Sequence, residues 1–138
     1  MAFGIKRDKY DAVVSDLVRY RDNCTCQKCG TVFQLPSKGL QASHFRGRGH
    51  GSTRLDLDNL DAFCTGCHIY FTDHKDEYRA WKVGRIGLQR VELIEYKSRH
   101  PLKMNRNEKE ILYQDLKRQL IEAIANYEKT AKAILQIV

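Results

Sequence analysis

Cys26-Gln-Lys-Cys29, Ser43-His44-Phe45, Asp58-Asn59-Leu60 and Cys64-Thr-Gly-Cys67-His68 follow one another in a single segment of this chain. Two Cys-x-x-Cys pairs supply four thiolates, enough to close a tetrahedral zinc site without any other ligand. Gly30, directly after the first pair, suits the tight turn of a zinc knuckle. The spacing therefore predicts that Cys26, Cys29, Cys64 and Cys67 hold a structural Zn²⁺. Cys24 could replace Cys26, but Cys26/Cys29 has the better spacing, and Cys24 reads as a free thiol. Metal–ligand bonds would stand in for part of a hydrophobic core, which fits the weak apolar patterning between residues 24 and 75. His44, Asn59 and His68 are left unclaimed by the zinc and tethered close to it.

Outside that segment the patterning is helical. Asp8 reads as the N-cap of a helix over 8–21, with Val13, Val14, Leu17 and Val18 at helical spacing. Phe33-Gln-Leu35 and Leu40-Gln-Ala42 alternate like short strands, and Pro36-Ser-Lys-Gly39 between them is turn chemistry. A short helix is expected from near Cys67 and another over about 75–83, ended by Gly84 in a left-handed conformation. Leu88, Val91, Leu93 and Ile94 predict a helix before His100-Pro101. Asn107 with Glu110 reads as a capping box opening a last helix from 108 to about 136, roughly 43 Å long at 1.5 Å per residue. Such a helix either packs partly on a second subunit, giving a homodimer, or lies across its own domain with a frayed end.

Composition narrows the partner. The 138 residues suit one domain over 1–138. With 24 Lys and Arg against 17 Asp and Glu, the formal charge is +7, which favours a polyanion such as nucleic acid or an acidic membrane surface. Five cysteines, an odd number containing two Cys-x-x-Cys pairs, suit metal binding in a reducing compartment better than a disulfide framework. Met1-Ala-Phe-Gly-Ile-Lys6-Arg7 is charged too soon for a signal peptide. No apolar run approaches the roughly 18 residues of a membrane span. The expectation is a cytoplasmic protein with no membrane partner and no small-molecule cofactor beyond metals.

The unclaimed residues carry chemistry. His44 lies between the two knuckles at the end of an alternating stretch, and a neutral imidazole there can take a proton from water. Asn59 could tie the connection between the strands together and orient His44, or be a plain turn residue after Asp58. His68 follows a zinc cysteine and would be aimed away from the zinc, as a ligand for a second cation. Phosphodiester hydrolysis needs such an ion, Mg²⁺ or Mn²⁺, to neutralise developing charge. Arg46, Arg48, His50 and Arg54, interleaved with glycines, read as a loop that approaches a phosphate backbone, or as a solvated loop. Lys75, Arg79, Trp81, Lys82, Arg85 and Arg90 could hold a DNA arm, unless Trp81 is simply core.

This order of residues resembles the HNH (ββα-metal) nucleases. It is more similar to the phage NinG/Rap recombination proteins, through Ser43-His44-Phe45, Arg48, His50, Thr53-Arg54, Asp56, Asn59 and Cys64-x-x-Cys67-His68, and through Pro101-Leu-Lys-Met-Asn-Arg106 before the last helix. The resemblance implies an α+β fold: a zinc-bound ββα-metal core over 24–83, flanked by the N-terminal helix 8–21 and a helical part over 85–138. It also implies a metal-dependent endonuclease acting on branched DNA, Holliday junctions or D-loops, in phage recombination. His44 would be the base, Asn59 its orienting partner and His68 the cation ligand. Two departures stand out. Ser43 occupies a place where many HNH enzymes carry a metal-binding Asp or His, and His68 stands where the NinG/Rap pattern has Asn. Water or another side chain must then fill the place, with Asp56, Asp58, Asp73 and His74 as candidates; His74 is favoured, and needs the helix to end or bend near Thr72-Asp73. Two other readings stay open: a zinc-dependent DNA- or junction-binding protein without catalysis, and a sequence-specific HNH nuclease.

Overall fold

The computed structural model describes residues 6–47 and 49–137. Five helices and a two-stranded sheet make an α+β fold. Helix α1 (Lys9–Arg21) starts at Asp8 with a reciprocal cap: the Asp11 N–H donates to Asp8 Oδ1 and the Asp8 N–H to Asp11 Oδ2, both at 3.0 Å. Asn23 and Cys24, at φ of 57° and 54°, turn the chain away from it. Gly30, at φ of 82°, closes the first knuckle, whose arms meet at a bridge between Thr25 and Val32.

Strand β1 (Leu40–His44) pairs antiparallel with β2 (Leu60–Cys64), His44 opposite Leu60 and Ser43 opposite Asp61. Alternation along each strand sends Asp61 and Phe63 to one face and Leu60 and Ala62 to the other. Phe63 packs on Phe71 and Trp81 with ring centroids 5.3 and 5.1 Å apart. Asp61 meets Lys82 Nζ at 2.7 Å and Arg85 Nε at 2.9 Å, a buried charge held by two cations. Burial pushes the Asp61 carboxyl up and the Lys82 ammonium down, against their mutual attraction.

Both edges of so small a sheet must find partners for their backbone groups. Arg19 Nε donates to Leu40 O at 2.9 Å on the β1 edge. On the β2 edge, Arg21 Nη2 donates to Leu60 O at 2.7 Å and the Ala62 N–H donates to Asp22 Oδ2 at 2.9 Å. The Gln27 N–H reaches Ala62 O at 2.9 Å, docking the first knuckle on the strand.

Helix α2 (Thr65–Asp73) follows β2 directly, then α3 (Lys75–Ile86), α4 (Leu88–Arg99) and α5 (Arg106–Ile137). Val14, Leu17 and Val18 of α1 join Leu40, Leu60, Ala62 and Leu116 in the core, with Leu112, Leu120 and Tyr127 of α5 packed against it. Ile121, Ile134 and Leu135 of α5 are exposed. No helix among the described residues is long and apolar enough to cross a membrane.

Four expectations change. Residues 33–35 are not a strand; β1 pairs with 60–64, a run buried so evenly that it shows no alternation. Gly84 lies inside α3, and the left-handed residue is Gly87 at φ of 91°. The extra turn lets Arg85 reach Asp22 and Asp61. The last helix opens one pattern earlier than expected, with the Glu108 N–H on Asn105 Oδ1 at 2.8 Å, so Asn107 and Glu110 lie within it. The border near 83–85 falls inside α3, and α4 packs on α3 and on the 3-10 turn Leu57–Asn59 that leads into β2.

Candidate functional site

The four cysteines of the two knuckles converge. Their Sγ atoms all lie within 4.8 Å of one another, and Cys29 Sγ is 3.8 Å from Cys64 Sγ. A tetrahedron with Zn–S bonds of about 2.3 Å has edges of about 3.8 Å, so the donor set fits zinc. Both knuckles have the same local form: the Cys29 N–H points at Cys26 Sγ at 3.5 Å, and the Cys67 N–H at Cys64 Sγ at 3.4 Å. Hydrogen bonds to Thr31, side chain and backbone, and to Cys26 bring the Cys29 thiol down to about 6. Burial, with the neighbouring thiols, pushes Cys67 up. Crowded sulfurs of this kind are relieved by a bound cation, which replaces their protons. Cys24 is buried and stands apart from this cluster.

His44 closes β1 and His68 lies one turn into α2, and both line one cleft of about 660 Å³. His44 Nε2 is 2.9 Å from Arg54 O. Arg54 is itself anchored: its guanidinium grips Asp11 of α1, with Nε 2.8 Å from Oδ1, and reaches Lys6 O at 3.1 Å. Arg54, expected as a DNA contact, thus has its guanidinium engaged by Asp11 and Lys6 O. Its guanidinium pairs with α1, and its carbonyl meets the His44 ring.

Asn59 is fully buried. Its Oδ1 accepts the Arg46 N–H at 2.8 Å, while Nδ2 donates to Arg46 O and Thr53 O, both at 3.0 Å. The amide ties both ends of the connection between the strands, as a tethering Asn would, and positions the residues after His44 rather than facing a ligand.

His68 Nδ1 lies 3.0 Å from Ser43 Oγ. Behind Ser43 stand Tyr78 Oη, 3.4 Å from that hydroxyl and 3.5 Å from Asp61 Oδ2. Ser43, Tyr78 and Asp61 are all buried, so the ring of His68 is fixed by a polar chain running into the ionic core. Its other nitrogen is left to the cleft. Burial lowers the His68 pKa, keeping the imidazole neutral at neutral pH, the form that binds a cation.

Other expected residues divide. His50 lines the cleft with Nδ1 3.2 Å from Ser98 O, and Arg46 lines it with Nε 3.0 Å from Ser98 Oγ. Arg48 lies outside the described residues. The chain does bend at His74, the residue between α2 and α3. Yet the His74 ring stacks on Tyr70 at 4.0 Å, puts Nδ1 2.8 Å from Tyr70 O, and does not line the cleft of His44 and His68. Asp56 and Asp58 pair with Lys97 and Arg90. Trp81 is part of the aromatic core, and Lys82 is buried on Asp61. Lys75, Asp76, Arg79 and Glu95 complete the cleft wall. Glu95 reaches it from α4, which no short-range signal assigned to the site; its pairing with Arg79, at 2.9 Å, is a contact between helices.

Among known proteins, the chain matches the family described as "NinG: Bacteriophage Lambda NinG protein" over residues 6–128. No curated protein and no solved structure matches it.

Proposed function

This chain belongs to the NinG family, and we propose that it is a zinc-stapled, HNH-type endonuclease that hydrolyses phosphodiester bonds in branched DNA. The observation that carries this reading is the shared cleft: His44 and His68 line one cavity, each anchored by its own buried support, on a hairpin and helix stapled by four cysteines. The order of strand, connection, strand and helix, with His44, Asn59 and His68 at its joints, supports the ββα-metal assignment.

In this reading His44 accepts the proton of the attacking water. The Arg54 carbonyl keeps its ring from turning away, and the Asn59 clamp holds the backbone beside it. Arg46 and Lys75 put positive charge along the cleft, where phosphate oxygens would sit, while Arg79 is paired with Glu95. His68 offers one neutral imidazole, which suits an ion that keeps most of its waters, and a bound Mg²⁺ or Mn²⁺ would supply charge neutralisation at the phosphate and the departing oxygen.

One observation favours the second reading, junction binding without catalysis. Besides the four cysteines, no group of three His, Cys, Asp or Glu is assembled for a metal among the described residues. The same assay decides between them: a labelled four-way junction with Mg²⁺ or Mn²⁺, wild type against His44→Ala. The nuclease reading expects nicking by wild type and a rate at least about 100-fold lower in the variant, with a melting temperature lowered only by the modest loss of one hydrogen bond. Equal rates would remove His44 from the chemistry. A wild type that retards the junction but never nicks it would establish the binding reading.

A further inference from the structure

His44 and His68 line more than one cleft. A second, of about 410 Å³, is bounded by Arg7, Arg19 and Lys38 and shares both histidines with the first. A third, of about 580 Å³, shares Arg19 and Lys38 with the second and continues past Tyr20 to Pro36. Neighbouring clefts therefore adjoin at shared residues, the first two at His44 and His68, the second and third at Arg19 and Lys38. The two imidazoles form the saddle between the α3–α4 side and the α1–β1 side.

Charge differs on the two sides of the saddle. The α3–α4 side sets Arg46, Lys75 and Arg79 against Asp76 and Glu95. Over its two clefts the α1–β1 side sets Arg7, Arg19 and Lys38 against Asp11 and Asp16, and Asp11 is also gripped by Arg54. Arg19 is half committed, with Nε on Leu40 O and Nη1 on Asp16. Arg7 and Lys38 are exposed. With Asp11 neutralised by Arg54, the exposed Arg7 and Lys38 leave a positive wall on the side away from the glycine-rich loop.

The geometry points to a nucleic-acid backbone track that crosses the His44–His68 saddle and continues over Arg7, Arg19 and Lys38, along α1 toward the turn at Pro36. The occupant is the phosphodiester strand itself, one arm of the DNA whose scissile phosphate lies at the saddle. Lysine and arginine side chains at its edge neutralise phosphates without reading bases. This rests on the nuclease reading above, but its test does not depend on cleavage.

The experiment is fluorescence anisotropy with a labelled four-way junction, without added divalent cation, over a series of salt concentrations. The variants are Arg7→Glu with Lys38→Glu and, as a control of equal charge change, Lys129→Glu with Lys132→Glu on the exposed outer part of α5. The track predicts at least a tenfold weaker Kd for the first pair, and a log–log salt slope flatter by about 1.8, the share of two phosphate contacts on duplex DNA. The control should stay within about twofold of wild type. Equal weakening by both pairs, or none by the first, would overturn the track. A wild type that binds but does not cut sinks the nuclease reading and leaves the track test standing; one that cuts while the first pair binds like the control sinks the track alone.

Discussion

His44 and His68 open onto the same cleft, yet their supports have little in common. His44 hangs on backbone: its ring meets the carbonyl of Arg54, Arg54 is tied to α1 through Asp11, and Asn59 clamps the connection that carries them. His68 hangs on a metal-binding knuckle and a buried polar chain through Ser43 and Tyr78 to Asp61. The first support is a set of separate hydrogen bonds, each removable at its own modest cost. The second is joined to four sulfurs that hold a shape together only as a set. Losing one part of each should therefore have very different consequences.

The largest effect belongs to the knuckles. Cys64→Ser keeps the size of the side chain but removes one of four donors. Metal binding in small zinc modules is linked to folding by about 10–16 kcal/mol. The variant should carry no zinc where wild type carries one per chain. It should also lose the cooperative melt of the hairpin and α2, followed by far-UV circular dichroism, while α1 and α5 keep much of their helicity through their own contact. A Cys64→Ser protein that retains one zinc and melts with wild type would mean that the cysteines are not the scaffold.

Asn59→Ala tests the other support. It leaves the half-buried Arg46 N–H and carbonyl without their partner and takes one of two donors from the Thr53 carbonyl, which keeps the Asp56 N–H, at about 1–3 kcal/mol for a group left unsatisfied. The denaturation midpoint should fall by an amount worth at least about 2 kcal/mol at constant m, with zinc content unchanged. Zinc loss in this variant would show that the two supports are one. A midpoint equal to that of wild type would show that the connection holds itself without the clamp.

The same contrast explains what could be read from the sequence. Signals that are local survived: the cap at Asp8, the Cys-x-x-Cys spacing, the glycine after the first pair, the helical stripe of α1. Asn59 was legible as a tether only as one of two readings, the other being a plain turn residue after Asp58, because its hydrogen bonds to Arg46 and Thr53 depend on the fold. What failed is tertiary. Leu60-Asp-Ala-Phe-Cys64 is buried on both faces, so nothing in its pattern announced a strand, and its partner was sought in 33–35 instead. Arg54 looked like a phosphate ligand because it sits in a glycine-rich loop, and only the fold reveals Asp11 beneath it. His74 was placed correctly in the chain but not in space. Glu95 belongs to a helix assigned to another part of the molecule.

Ser43 is where the comparison becomes finest, and where the smallest effect is expected. An acid at this place would have been a metal ligand by analogy. Here the residue opposite it across the sheet is Asp61, on the same buried face, so a second carboxylate would stand against a charge that already occupies Lys82 and Arg85. The serine fits because it is neutral and can bridge His68 to Tyr78. Ser43→Ala should cost only about 1 kcal/mol in stability, the worth of an ordinary hydrogen bond. The His68 ring would lose the partner that fixes it, and if His68 holds the proposed cation, the loss of such an orienting partner should weaken its binding by about 10–100-fold. Mn²⁺ titration of the zinc-loaded protein, followed by electron paramagnetic resonance, measures this directly. A Ser43→Ala protein that binds Mn²⁺ as wild type does would leave His68 aimed by the knuckle alone, and the polar chain behind it would then serve the core rather than the cleft.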